Sequence, residues 1–203
     1  MSIKFYQGDI PASLEFGDSV AIDTETQGLH PHRDRLCLIQ LSSGDGSAHL
    51  VQFAPDSYEA PNLKKLLGNE SITKIFHYAR FDLAIILRYL GVDCRPVYCT
   101  RVASRLARTY TDKHGLKDIC AELLDIEISK QQQQTDWAAE TLTEEQLQYA
   151  AADVRYLHRL KEILDRRLQR ENRTETAQAC FNFLPYRAAM DLDGWAALDI
   201  FAH

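Results

Sequence analysis

Three groups of residues stand out for the chemistry they could do together. Asp23 and Glu25 flank Thr24 at the end of the apolar run Val20-Ala21-Ile22. In an extended strand the i, i+2 spacing points both carboxylates at the same side. Like charges placed side by side repel, and a divalent cation is the usual remedy, because hard oxygen ligands suit magnesium or manganese. The plainer alternative is a strand end with two solvated acids. Asp82 closes the stretch His77-Tyr78-Ala79-Arg80-Phe81-Asp82, just beyond an expected strand and inside the first turn of an expected helix. There it either complements the helix dipole or faces an active site. Tyr149 and Asp153 lie four apart on a late helix, which puts a phenol and a carboxylate on one face, one turn from each other.

Four carboxylates on three elements can surround two divalent ions, provided the helices pack against the end of the first of these strands. Two-metal phosphodiester hydrolysis needs such an arrangement: ions about 3.5–4 Å apart activate a water and stabilise the leaving oxygen. A phenol has an unperturbed pKa of about 10, so Tyr149 suits positioning that water better than acting as its base.

The elements that must position these groups can be read from periodicity. Strands are expected from Ser19 through the Asp23–Glu25 pair and at 35–41, 48–53, 72–76 and 96–99, the first three joined by short connections as an antiparallel meander. Helices are expected at 61–67, from Asp82 to the capping Gly91, and at 100–107 and 115–124. Thr143-x-x-Gln146 is a capping-box pattern that opens one long helix carrying apolar residues as far as Leu168. A last helix runs from about Thr174 to Leu184, before Pro185. The result is an α/β chain with a mixed five-stranded sheet flanked by helices. It reads as one domain over 1–203, with 172–203 as a C-terminal helix and apolar tail that packs on the core or on a neighbouring subunit. Gln131 to Gln134 form a polar tract between Lys130 and Trp137, and those two residues could meet a phosphate and a base.

Composition narrows the function classes. At 203 residues with 45% hydrophobic and 26% charged side chains, the chain suits one globular core. A formal charge of −6 argues against a broad basic surface, so a nucleic acid would be held locally by metal ions and a few side chains. No apolar run is long enough to span a bilayer and the start lacks a signal core, which makes the cytoplasm the expected compartment. Five cysteines without a Cys-x-x-Cys pair read as buried reduced thiols.

Asp23-Thr24-Glu25, Asp82 within 76–82, and Tyr149-Ala150-Ala151-Ala152-Asp153 together resemble the three motifs of the DEDDy 3′–5′ exonucleases of the ribonuclease D superfamily. The likeness covers about Ala21 to Leu164. Through 31–37, 109–116 and 129–133, and through Cys180 to Pro185 and Gly194-Trp195, it is greatest to the compact nano-RNase C branch. The resemblance implies an RNase H-like (DnaQ-like) exonuclease fold and a homo-octameric ring that cleaves very short RNA, dinucleotides included, to mononucleotides. It also implies that Asp23, Glu25 and Asp153 hold one metal, that Asp23 and Asp82 hold a second, and that Tyr149 positions the water. Leu29 is the implied wedge against the bases at the 3′ end. Thr24, His77, Tyr78 and Arg80, beside the motif acids, join Leu29, Lys130 and Trp137 as candidate substrate contacts. Ribonuclease D carries helical accessory domains after this region. Without them, and with negative net charge, a structured RNA lacks its platform and a short oligonucleotide is the expected substrate. The alternatives are a broader exonuclease acting on longer RNA or DNA ends, and a catalytically silent nucleic-acid-binding scaffold.

Overall fold

The computed structural model describes residues 2–129, 132 and 135–202. In chain order its strands are β1 (Ser2–Gln7), β2 (Ser19–Thr26), β3 (Leu36–Ser42), β4 (Ser47–Gln52), β5 (Thr73–Phe76) and β6 (Val97–Cys99). The helices are α1 (Pro61–Leu67), α2 (Ala79–Leu90), α3 (Thr100–Ala107), α4 (Leu116–Leu124), α5 (Glu144–Arg155), α6 (Leu157–Arg170) and α7 (Thr174–Met190). One π-helical turn, Asp191–Trp195, follows α7.

The sheet has the order β1-β4-β3-β2-β5-β6. The expected meander is present, with β2 antiparallel to β3 and β3 antiparallel to β4. Strands β5 and β6 extend the sheet in parallel from β2. Every residue of β3 and β4 is buried, so these central strands are covered on both faces and read as near-continuous apolar runs. Lys74 is fully buried in β5, and its ammonium donates to the carbonyls of Asn69 at 2.6 Å and Ile72 at 2.8 Å and to that of Arg95. Three acceptors on one cation tie the start of β5 to the approach of β6.

Three features differ from the expectation. The sheet has six strands, because Ser2–Gln7 pairs in parallel with β4, from Ser2 opposite Ser47 to Gln7 opposite Gln52. This edge strand buries no residue completely, Ile3 being half-buried and Phe5 exposed, so its pairing with β4 and not a buried face decides its state. The long helix is two helices that meet at Tyr156 (φ −106°, ψ −3°). Helix α5 packs on β2, β3 and β4 whereas α6 packs on α3 and α4, which requires a change of direction. Because Val154, Leu157, Leu160 and Leu164 are all buried, the apolar period runs through the break and hides it. Third, α7 continues through Pro185 to Met190. A proline inside a helix costs about 3 kcal/mol, and burial of Phe181 and Leu184 offsets it at roughly 1.5–3 kcal/mol per side chain.

Candidate active site

Strand β2 delivers the first two acids. Asp23 lies opposite Gln40 and Glu25 opposite Leu38, and the register shifts between Glu25 and Thr26. An irregularity of this kind ends regular pairing and re-aims side chains at a sheet's edge. The chain then turns through Gly28, where an added Cβ would stand 2.2 Å from Asp34 Oδ2, so a larger residue would displace the Asp34 carboxylate. Asp34 accepts the His30 N–H at 2.9 Å and the Arg33 Nε–H at 2.6 Å. The turn that results leaves Leu29 81% exposed.

Asp82 comes from the first turn of α2. Tyr78, ahead of that turn, is left-handed (φ 72°, ψ 43°), and no side chain caps the helix start. Thr24 Oγ1 donates to Asp82 Oδ1 at 2.6 Å, a buried bond from β2 to α2. Tyr149 and Asp153 come from α5, whose start has the expected capping box: Gln146 N–H donates to Thr143 Oγ1 at 3.3 Å, and Thr143 N–H to Gln146 Oε1 at 2.9 Å. The same Gln146 donates through Nε2 to Thr135 Oγ1 and to the Asp136 carbonyl, both at 3.1 Å. That holds Trp137 over Tyr149, ring centroids 6.0 Å apart.

These elements bring Asp23, Glu25, Asp82, Tyr149 and Asp153 to one cavity of about 720 Å³. Carboxylate oxygens of Asp23, Glu25 and Asp153 lie within 4.8 Å of one another. Burial pushes the Asp23 carboxyl up to about 7. Burial, and then the charges of Asp23, Asp153 and Asp82, hold Glu25 well above the usual carboxylate range. Asp82 and Asp153 are raised by burial and then by Asp23. Burial, followed by Asp153 and Glu25, pushes the Tyr149 phenol up as well, so it stays protonated and keeps a proton to donate in a hydrogen bond. All-oxygen donors under mutual repulsion are the chemistry that a hard divalent cation neutralises. The residues present therefore fit magnesium or manganese, with Asp23, Glu25 and Asp153 as one ligand set and Asp82 beside Asp23.

The remaining candidates are distributed unevenly. Thr24 lines the cavity but its hydroxyl serves Asp82. Leu29, His77 and Tyr78 line the cavity; His77 Nδ1 is 2.9 Å from Thr100 Oγ1, and Tyr78 lies under the Arg101 guanidinium at 4.8 Å. Trp137 also borders it but is only 2% exposed, so it backs Tyr149 and does not offer a free face to a base. Arg80 is not among the lining residues; its guanidinium pairs with Asp191 at 2.5 and 2.7 Å. Lys130 lies outside the described residues. Two cations that the sequence reading passed over, Arg101 and Lys117, line the cavity. Arg101 follows the end of β6 as Asp82 follows the end of β5, and that repeated strand-to-helix step is the signal that could have found it.

A family model described as a 3′–5′ exonuclease matches residues 8–169, which span all five motif residues. The chain belongs to the 3′–5′ exonuclease family. Among curated relatives, the exonuclease is similar to ribonuclease D of Gluconacetobacter diazotrophicus, 36% identical over 77% of this chain and 39% of that protein. It thus spans about two fifths of the length of the curated relatives that it matches. Among solved structures, Brucella melitensis NrnC bound to pGG is 58% identical with a TM-score of 0.97, over 100% of this chain and 99% of that one. The same protein with bound Mg2+ is 57% identical with a TM-score of 0.96, over 100% of both chains. Escherichia coli RNase D, an exoribonuclease involved in structured RNA processing, is 28% identical with a TM-score of 0.74, over 84% of this chain and 45% of that one. These likenesses place the exonuclease in the ribonuclease D superfamily beside nano-RNase C, with the RNase H-like fold.

Proposed function

We propose that this exonuclease is a 3′–5′ exoribonuclease that hydrolyses short oligoribonucleotides, dinucleotides included, to nucleoside 5′-monophosphates at two divalent metal ions, Mg2+ or Mn2+. The observation that carries the reading is the carboxylate cluster with a protonated Tyr149 at the cavity whose rim presents an exposed Leu29. The NrnC structures support it, one holding Mg2+ and another pGG.

The side chains divide the work. Asp23, Glu25 and Asp153 would hold one ion and Asp23 with Asp82 the other, and the cations would supply water activation and leaving-group stabilisation. Tyr149 would donate a hydrogen bond, keeping its proton, to the attacking oxygen and so fix its direction. Leu29 packs against the terminal bases, which sets where the chain end stops. Arg101 and Lys117 supply positive charge to a cavity floored by acids.

The same reading treats 1–203 as one exonuclease domain acting in the cytoplasm and assembling as a homo-octameric ring. No helix among the described residues is long and apolar enough to cross a membrane. Trp195, Leu198, Ile200 and Phe201 are 40–73% exposed on the isolated chain, which supports a tail covered by a neighbouring subunit; solution mass with the tail removed after Leu184 tests that. The test of function is digestion of 5′-labelled RNAs from two residues upward, with and without added metal. Metal-dependent loss of 3′ residues, fastest on the shortest RNAs, is expected. Equal rates on two-residue and twenty-residue RNA, or on DNA, would instead favour the broader exonuclease, and binding without hydrolysis would favour a silent scaffold.

A further inference from the structure

The turn that carries Asp82 is poorly secured by its own sequence. Tyr78 adopts the left-handed region and makes no side-chain capping hydrogen bond at the start of α2, so this turn lacks the stabilisation that an N-cap side chain gives. Two contacts from elsewhere in the chain tie this turn to the rest of the fold. One is the Thr24 hydroxyl on Asp82. The other is Arg80, two residues before Asp82, whose Nε and Nη2 donate to the two carboxylate oxygens of Asp191 at 2.5 and 2.7 Å.

The second contact is a fork, and a planar guanidinium on a carboxylate fixes direction as well as distance. It is partly buried, with the Arg80 side chain 32% exposed and that of Asp191 12%. Asp191 also pairs with Arg187 at 3.3 Å. Arg80 Nη2 donates to the Ala196 carbonyl at 2.9 Å, and Arg187 Nη2 to the same carbonyl at 3.1 Å. Two arginines thus clamp residues 191–196 against the first turn of α2. Asp191 stands beyond residues 8–169, the span of the family match.

We infer that Asp191 and Arg80 are positioning residues for Asp82: the C-terminal segment, through the Arg80 fork, sets the orientation of the acid that completes the second metal's ligands. The inference rests on the proposed two-metal reading and assigns to Arg80 a role other than substrate contact. The fork does not touch Asp82; it fixes the backbone two residues before it, and groups that orient a metal ligand elsewhere cost about 10- to 100-fold in metal affinity or activity when removed.

The test measures Mn2+ binding by calorimetry alongside steady-state kinetics on a dinucleotide, for the full chain and for Asp191→Asn, Arg80→Lys and Asp191→Glu. For Asp191→Asn and Arg80→Lys, the weaker of two Mn2+ affinities is expected to fall about tenfold and kcat with it, while KM for RNA stays within twofold. Asp191→Glu, which can re-form the fork, is expected to recover most of the loss. Unchanged Mn2+ affinities and kcat in folded Asp191→Asn and Arg80→Lys, with only a lower thermal midpoint, would overturn the inference. If Asp191→Asn does not fold, Arg80→Lys, which keeps the charge and loses the fork, decides alone. Wild-type protein that binds Mn2+ but leaves the dinucleotide intact would overturn the functional reading, and the calorimetric comparison would still judge the inference.

Discussion

Thr24 and Asp82 are joined by a 2.6 Å hydrogen bond that is buried and spans 58 positions of the chain. Thr24 sits between the two acids of β2, so one residue supplies the spacing of that pair and also holds the acid arriving from α2. The bond places a neutral donor on Asp82 Oδ1. Thr24→Val keeps the shape and removes the donor. It is expected to raise the Mg2+ concentration for half-maximal activity about tenfold, measured by metal titration at saturating RNA; an unchanged titration would separate Thr24 from metal binding.

The acid cluster predicts a pH profile for the metal-free protein. Asp23 is pushed up to about 7, and Glu25, Asp82 and Asp153 are raised well above their usual values. The folded state therefore retains protons that an unfolded chain releases near pH ~4. Stability from these groups is complete below that pH and is lost as pH rises through about 7 and beyond. Asp34 and Glu122 are lowered to about 2 and lie outside this window. Thermal midpoints in EDTA should fall between about pH 5 and pH 8, and saturating Mg2+ should remove most of the slope. His49, His114 and His158, lowered by burial, act with the opposite sign in this window, so the cluster's share is the slope that Mg2+ removes, and an equal slope with and without saturating Mg2+ contradicts the cluster's electrostatics.

Asp23 contributes to the raised values of its three neighbours, which makes its substitution two-edged. Asp23→Asn should abolish metal-dependent hydrolysis and yet stabilise the metal-free fold at pH 8, by on the order of 1 kcal/mol or more. Denaturant titration in EDTA measures the second effect. Full activity in this variant would remove the two-metal mechanism from consideration.

Tyr149 is held protonated by burial and by Asp153, so its contribution is a directed hydrogen bond. Tyr149→Phe should lower single-turnover rates about 10- to 100-fold and leave RNA affinity within a factor of two. Equal single-turnover rates would show that the hydroxyl plays no part in the chemical step.

Leu29 presents most of its surface to solvent at the cavity rim, so truncating it removes little burial. Leu29→Ala should change stability by no more than about 0.5 kcal/mol and raise KM for a dinucleotide severalfold. If KM is unmoved, the side chain does not contact the substrate.

The acids and Tyr149 were legible in the sequence because strand and helix periods fix which side chains share a face, and the Thr143–Gln146 capping box fixed the phase of α5. What stayed hidden depends on partners distant in the chain. Strand β1 exists because β4 offers it an edge. The break at Tyr156 follows from what α5 and α6 pack on. Arg80 is two residues from Asp82 in sequence, but its carboxylate partner is 111 residues away, and no local pattern announces such a pair.

Gln146 belongs both to the first turn of α5 and to the segment before Trp137. The helix start and the aromatic wall behind Tyr149 therefore melt as one cooperative unit, and any opening that frays this turn also releases the phenol from its backing. Amide exchange at Gln146 and the fluorescence of Trp137, read with Trp195→Phe in place, should then share a single opening rate, making the indole an optical reporter of the fraction of molecules in which Tyr149 has lost its backing.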